Sequence, residues 1–205
     1  MYLTKLTLDQ RGSQARRDLG DAYEMHRTLV RAFVSNAQSN PPRFLWRLET
    51  PVSSPQNPTV LIQSQARADW AVLDRLPNYL HRTAETKIVD LTRLVQPKHR
   101  YRFRLVANPT VSREGKRLAL LQQDEQRAWV KRQGERFGFV IQSLIVSPLD
   151  LLNSNPKGKA PICIQRVCFE GLLEVREEPV FMQALVSGIG PAKAFGCGLL
   201  SVAPC

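Results

Sequence analysis

Tyr23, His26 and Arg27 form the group of side chains best suited to chemistry in this chain. A histidine can move a proton near neutral pH, a tyrosine can orient or donate, and an arginine can hold negative charge on a phosphate. Together they suit the breaking of a phosphodiester. At 100° per residue His26 lies beside the apolar stripe of Met25, Leu29 and Phe33, at the border of core and solvent. Tyr23 and Arg27 lie further round that shoulder, in i,i+4 relation. The same triplet also reads as ordinary helix surface, and the residues alone leave both readings open. His81, in a polar loop, and His99, at a strand start, are expected to be structural.

Other residues could bind an anion. The run His99-Arg100-Tyr101-Arg102-Phe103-Arg104-Leu105 alternates, so that Tyr101, Phe103 and Leu105 share one face of a strand and Arg100, Arg102 and Arg104 the other. The cationic face suits phosphate contact, or pairing with neighbouring carboxylates. A basic loop follows over 108–118, with Arg113, Lys116 and Arg117 around Gly115, and a second, over 153–161, carries Lys157-Gly158-Lys159. Each is a groove-entering loop or a surface turn.

Gly188-Ile189-Gly190-Pro191-Ala192-Lys193-Ala194-Phe195-Gly196-Cys197-Gly198 holds four glycines in eleven residues. Such a backbone can approach a ligand closely, and a helical turn starting at Pro191 would point its positive end outward. It is not a nucleotide-binding phosphate loop, because Lys193 is followed by Ala194 where that motif has Ser or Thr. Phosphate cradle and tight crossover both remain open here. No convergent set of carboxylates suggests metal-ion catalysis: Asp18, Asp21, Asp124 and Glu125 sit where helix capping and the helix dipole explain them. Cys163, Cys168, Cys197 and Cys205 form no CxxC pair and have no nearby histidine, which excludes the zinc and thioredoxin patterns and predicts reduced, mostly buried thiols. Cys163 and Cys168, an odd number apart in one strand-like run, should face opposite sides of a sheet.

The elements that position these groups follow from periodicity. Residues 2–8 alternate, 21–36 are helical from a capping-box-like Asp21 and Glu24, 44–49 and 59–64 are strands, Trp70, Leu73 and Leu76 mark a short helix, and 86–91 is a strand. A break at Gln96-Pro97-Lys98 precedes a second set: strand 99–107, helix 122–133, strands 139–146 and 162–175, helix 179–186 and strand 199–202. Two βαββαβ units in series predict an α+β protein of two tandem ferredoxin-like domains, 1–95 with the His26 helix and 96–205 with the basic loops and the glycine-rich segment.

The 205 residues carry 29 Lys plus Arg against 18 Asp plus Glu, a net charge of +11 that makes a polyanion the natural partner. No run approaches the roughly 18 apolar residues of a membrane helix. The opening MYLTKLTLDQ lacks the apolar block of a signal peptide, so a cytoplasmic protein with no membrane partner is expected.

Tyr23-Glu24-Met25-His26-Arg27, Arg102-Phe103-Arg104-Leu105 running into Ala107-Asn108-Pro109, Cys168-Phe169-Glu170-Gly171, and above all the block from Gly188 to Pro204 resemble, in the same order, the CasE family of CRISPR-associated endoribonucleases. These are the repeat-processing subunits of the type I-E Cascade complex. The resemblance covers nearly the whole chain. It implies an enzyme without metal or other cofactor that binds the hairpin of CRISPR repeat RNA and cuts 3′ of the stem. The substrate's own 2′-hydroxyl would attack, leaving a 2′,3′-cyclic phosphate and a 5′-hydroxyl. By the same resemblance His26 is general acid or base, Tyr23 orients the reacting groups, Lys159 or Lys157 stabilises charge, and Arg27 holds phosphate near the cut. Arg113, Lys116 and Arg117 would reach into the stem's groove. Arg102, Arg104 and the segment holding Gly188, Gly190, Lys193, Gly196 and Gly198 would complete the RNA-binding face. The other Cascade subunits are the implied partners. A non-catalytic subunit that only caps a guide RNA is the alternative.

Overall fold

The computed structural model describes residues 1–36, 39–49, 57–154 and 162–205. They form two compact units, Met1–Val89 with Ala194–Gly196, and Asp90–Lys193 with Cys197–Cys205.

In the first unit, β1 (Tyr2–Thr7) is followed by α1 (Ser13–Gly20), α2 (Ala22–Val30), β2 (Phe44–Glu49), β3 (Thr59–Ser64), a 3₁₀ turn (Trp70–Leu73) and β4 (Glu85–Ile88). The strands form an antiparallel sheet in the order β2-β3-β1-β4, the ferredoxin-like arrangement. Leu6, Met25, Leu29, Trp46, Val60 and Ile62 are buried in its core. The predicted helix 21–36 is in fact shorter and preceded by another. Asp21 breaks the helical path with an extended backbone (φ −141°, ψ 111°), ending α1 and capping α2, where its side chain accepts from the Tyr23 N–H at 2.8 Å. α1 escapes a periodicity search because its sequence, SQARRDLG, is polar and its buried residues are only Ala15 and Asp18.

In the second unit, α3 (Leu91–Leu94), β5 (Arg100–Ala107), β6 (Thr110–Arg113), β7 (Lys116–Ala119), α4 (Gln123–Arg136), β8 (Phe139–Ser154), β9 (Ile162–Val175), α5 (Glu178–Ser187) and β10 (Leu200–Pro204) follow in order. Their main sheet has the order β10-β5-β9-β8 and again the ferredoxin-like arrangement. Tyr101, Phe103 and Leu105 are buried with Phe139, Phe169, Phe181 and Trp129, as the alternation of β5 requires. β8 runs eight residues past its predicted end, through Pro148. It can do so because it is an edge strand with a register shift between Pro148 and Asp150. The basic loop expected over 108–118 is a β-hairpin, with Arg113 opposite Lys116 and Ser112 opposite Arg117. Its turn is Glu114-Gly115, both with positive φ, as two-residue hairpin turns demand.

Among the described residues no helix is long and apolar enough to cross a membrane. The four cysteines are free; Cys168 and Cys197 are buried, whereas Cys163 and Cys205 are exposed. Two of the four thiols are therefore buried, where most were expected to be, and Cys163 and Cys168 differ in exposure as their odd spacing predicts.

Candidate active site

α2 carries Tyr23, His26 and Arg27. Its apolar stripe, Met25 and Leu29, is buried against the sheet, which leaves His26 half-buried and Arg27 exposed. The imidazole stacks on Phe44, the first residue of β2, with ring centroids 5.1 Å apart and planes at 19°. His26 Nδ1 is buried and has no hydrogen-bond partner among the described residues. Nε2 is therefore the nitrogen left to meet a ligand. Burial pushes the His26 pKa below its ordinary value of 6.5, because the charged imidazolium is poorly solvated there.

Arg27 is held from two sides. Its Nη1 donates to Glu24 Oε1 at 3.0 Å, and its guanidinium lies 5.9 Å from the Tyr23 ring centroid. Glu24 also pairs with Arg17 Nη2 of α1 at 2.8 Å. The cationic shoulder beside His26 is thus ordered by one carboxylate shared between two arginines, a relation that the sequence does not reveal because Arg17 lies on α1, whose polar sequence carries no apolar stripe. Lys157 and Lys159 lie outside the described residues.

The basic candidates of the second unit fall into three groups. Arg113, Lys116 and Arg117 are exposed around the tip of the β6–β7 hairpin, and none of them is ion-paired among the described residues. On the outer face of β5, Arg104 pairs with Glu170 at 3.0 Å and Arg100 with Glu174 at 3.9 Å, so two of the three arginines follow the carboxylate-pairing reading. Arg102, opposite Leu172, is exposed and has no carboxylate partner among the described residues. In the glycine-rich segment Gly188 caps α5, its N–H donating to Ala184 O at 2.8 Å. The Ile189 N–H donates to Gly198 O and the Gly198 N–H to Val106 O, at 2.9 and 2.7 Å, so these N–H groups close the chain on itself. Lys193 Nζ donates to Gly190 O at 2.6 Å. The helical turn expected from Pro191 is a 3₁₀ turn over Lys193–Phe195. Gly196, counted with the first unit, lies so close to Trp46 that an added Cβ would meet its ring at 3.1 Å.

His81 is tied by its backbone N–H to Thr7 O at 2.8 Å, and His99 Nδ1 lies 3.2 Å from Pro97 O. Among the described residues no group of three or more His, Cys, Asp or Glu side chains is placed to hold a metal ion.

The described residues form two ferredoxin-like units, with a stacked histidine on the first and a basic hairpin on the second, and comparison with known proteins gives the family. The model of the family described as CRISPR associated protein matches residues 1–204, and the chain belongs to that family. It is 37% identical over 224 residues to the CRISPR-associated endoribonuclease Cse3 of Thermus thermophilus, with all of both chains covered. It is 31% identical over 219 residues to the CRISPR system Cascade subunit CasE of Escherichia coli, again with all of both chains covered. Among solved structures it superposes on CRISPR endoribonuclease Cse3 bound to a 19-nucleotide RNA with a TM-score of 0.85 at 37% identity, covering both chains fully.

Proposed function

We propose that this chain is an endoribonuclease that binds the hairpin of CRISPR repeat RNA and cuts on the 3′ side of the stem without a metal ion. It acts in the cytoplasm and stays with its product as a subunit of a Cascade complex. Family membership over the full length and the names of its relatives, an endoribonuclease and a Cascade subunit, support this reading. The observation that carries it is His26, with Nδ1 buried and Nε2 left open on an ordered, cationic helix shoulder.

In the reaction the substrate's 2′-oxygen forms a bond to the adjacent phosphorus and the bond from phosphorus to the 5′-oxygen breaks. The products are a 2′,3′-cyclic phosphate and a 5′-hydroxyl. The proton of the 2′-hydroxyl must leave, and one must reach the departing 5′-oxygen. With its pKa depressed, His26 is neutral at pH 7 and Nε2 is suited to accept the first of these. Tyr23 orients the reacting groups, Arg27 holds phosphate beside the cut, and Lys157 or Lys159 supplies further positive charge. The unit with α2 acts as the catalytic domain. The unit with the β6–β7 hairpin grips the stem through Arg113, Lys116 and Arg117, aided by Arg102, Arg104 and the segment of Gly188, Gly190, Lys193, Gly196 and Gly198.

The test is cleavage of the cognate repeat hairpin in EDTA by wild type and His26→Ala. The expected loss is at least about 100-fold in single-turnover rate with hairpin affinity retained. Undiminished cutting by the variant would remove His26 from the chemistry. Tight binding without any cutting by wild type would leave a subunit that only caps RNA.

A further inference from the structure

A histidine that transfers protons is usually oriented through its second nitrogen, which donates to a carboxylate or carbonyl. His26 lacks that device, because Nδ1 has no partner among the described residues. What holds the imidazole is an aromatic plate. Phe44 is buried and stacks on His26, and Phe33 stacks on Phe44 with centroids 4.6 Å apart and planes at 12°. Phe33 in turn meets Trp70 edge-on at 5.7 Å. Trp70 is itself anchored, since its Nε1 donates to Thr4 Oγ1 at 3.2 Å, and Thr4 Oγ1 shares a 2.8 Å hydrogen bond with Thr86 Oγ1. The ladder therefore runs from α2 through the start of β2 to the side chains of β1 and β4.

We infer that Phe44, backed by Phe33 and Trp70, is the positioning residue of His26: the stacked ring fixes the imidazole plane in which Nε2 meets the substrate. Offset stacking of this kind restrains ring rotation as well as burying area. The inference rests on the reading that His26 moves the proton. The plate also keeps water from one face of the imidazole, which agrees with a pKa lowered by burial. The charged groups on the packed elements do not offset this. Glu24 and Arg27 on α2 pair with each other, Arg43 precedes β2, and Arg47 and Glu49 pair with each other on the face of β2 opposite Phe44.

The experiment uses the full chain with Phe44→Leu, Phe44→Ala and Phe44→Tyr, following His26 by NMR titration and cleavage of the repeat hairpin by single-turnover rate against pH. Phe44→Leu keeps an apolar side chain and the fold, removes the plate, and slows cleavage roughly ten- to hundredfold while hairpin affinity stays within about threefold of wild type. Its His26 midpoint rises toward 6.5 and the acid limb of the rate profile moves with it. Phe44→Tyr restores both. A Phe44→Leu protein whose His26 midpoint and pH profile match wild type overturns the inference, even if cleavage is slower, because a merely structural residue would slow the reaction without moving either. If Phe44→Ala fails to fold, Phe44→Leu decides. If wild type does not cut, the functional reading falls, and the His26 midpoint in Phe44→Leu still tests the stacking.

Discussion

Tyr79 Oη donates a 2.7 Å hydrogen bond to Asp18 Oδ2 across 61 positions of sequence, with both residues buried. Gln14 Nε2 donates to Asp18 Oδ1 at 2.7 Å, and Tyr79 Oη also lies 3.8 Å from Met25 Sδ. This network ties α1 to the chain ahead of β4 and touches the buried side of α2. Burial pushes the Asp18 carboxyl above its ordinary 3.8 and outweighs the hydrogen bonds that favour the anion.

Asp18→Ala is expected to cost about 2–4 kcal/mol in urea unfolding, because it strands the buried Tyr79 hydroxyl and removes the partner of the half-buried Gln14 amide. The pH dependence has a definite sign. A carboxyl whose folded pKa is raised contributes stability that is fully present below the unfolded value of 3.8 and is lost as pH rises through the folded midpoint. Replacing Asp18 with Asn should flatten the pH dependence of stability above pH 3.8, and an unchanged slope would contradict the burial argument.

His26 carries the opposite sign. Its folded pKa lies below 6.5, so its contribution to stability is complete above pH 6.5 and is lost as pH falls through the folded midpoint. With neutral imidazole as the proton acceptor, the cleavage rate should be level above that pH and fall about tenfold per pH unit below the midpoint. A rate that rises on acidification would assign His26 the role of general acid.

The exposed hairpin tip supplies charge without structural duty. Replacing Arg113, Lys116 and Arg117 together with Ala should weaken hairpin RNA binding and reduce the slope of log affinity against log salt by about 2–3. The melting temperature should move little, since these side chains are exposed. An unchanged salt slope would show that the tip does not touch phosphate.

Gly171 and Gly20 make a contrasting pair. In β9 the Gly171 backbone passes so near the irregular part of β8 that an added Cβ would meet Ser143 O at 2.0 Å, whereas a Cβ on Gly20, at the end of α1, meets nothing within 4 Å. Gly171→Ala is expected to destabilise by at least about 3 kcal/mol, and Gly20→Ala to stabilise by about 0.5–1 kcal/mol. Equal melting shifts for the two would show that the strand separation at Gly171 relaxes easily.

Alternation and helical periodicity make most elements legible in the sequence, because each reflects a single buried face. The arginine run of β5 shows this well: Tyr101, Phe103 and Leu105 are all buried, at 2%, 4% and 0% exposure. The failures share a cause. α1 is a polar helix tied into the core by the buried bond between Asp18 and Tyr79, and β8 continues through a proline that only an edge position permits. Local spacing suggests helix capping for Asp18, but its Tyr79 partner is 61 residues away.

By itself the sequence determined the doubled βαββαβ order, the excess of positive charge, and the placement of Tyr23, His26 and Arg27 on one shoulder of a helix. These depend on contacts within a few residues or on composition. Only the tertiary structure decided which nitrogen of His26 is buried, that Phe44 is its plate, and that Arg104 pairs with Glu170 while Arg102 is left exposed. The two pairings, His26 with Phe44 and Arg104 with Glu170, join residues 18 and 66 positions apart, and strand register and helix docking, which no local pattern encodes, bring them together.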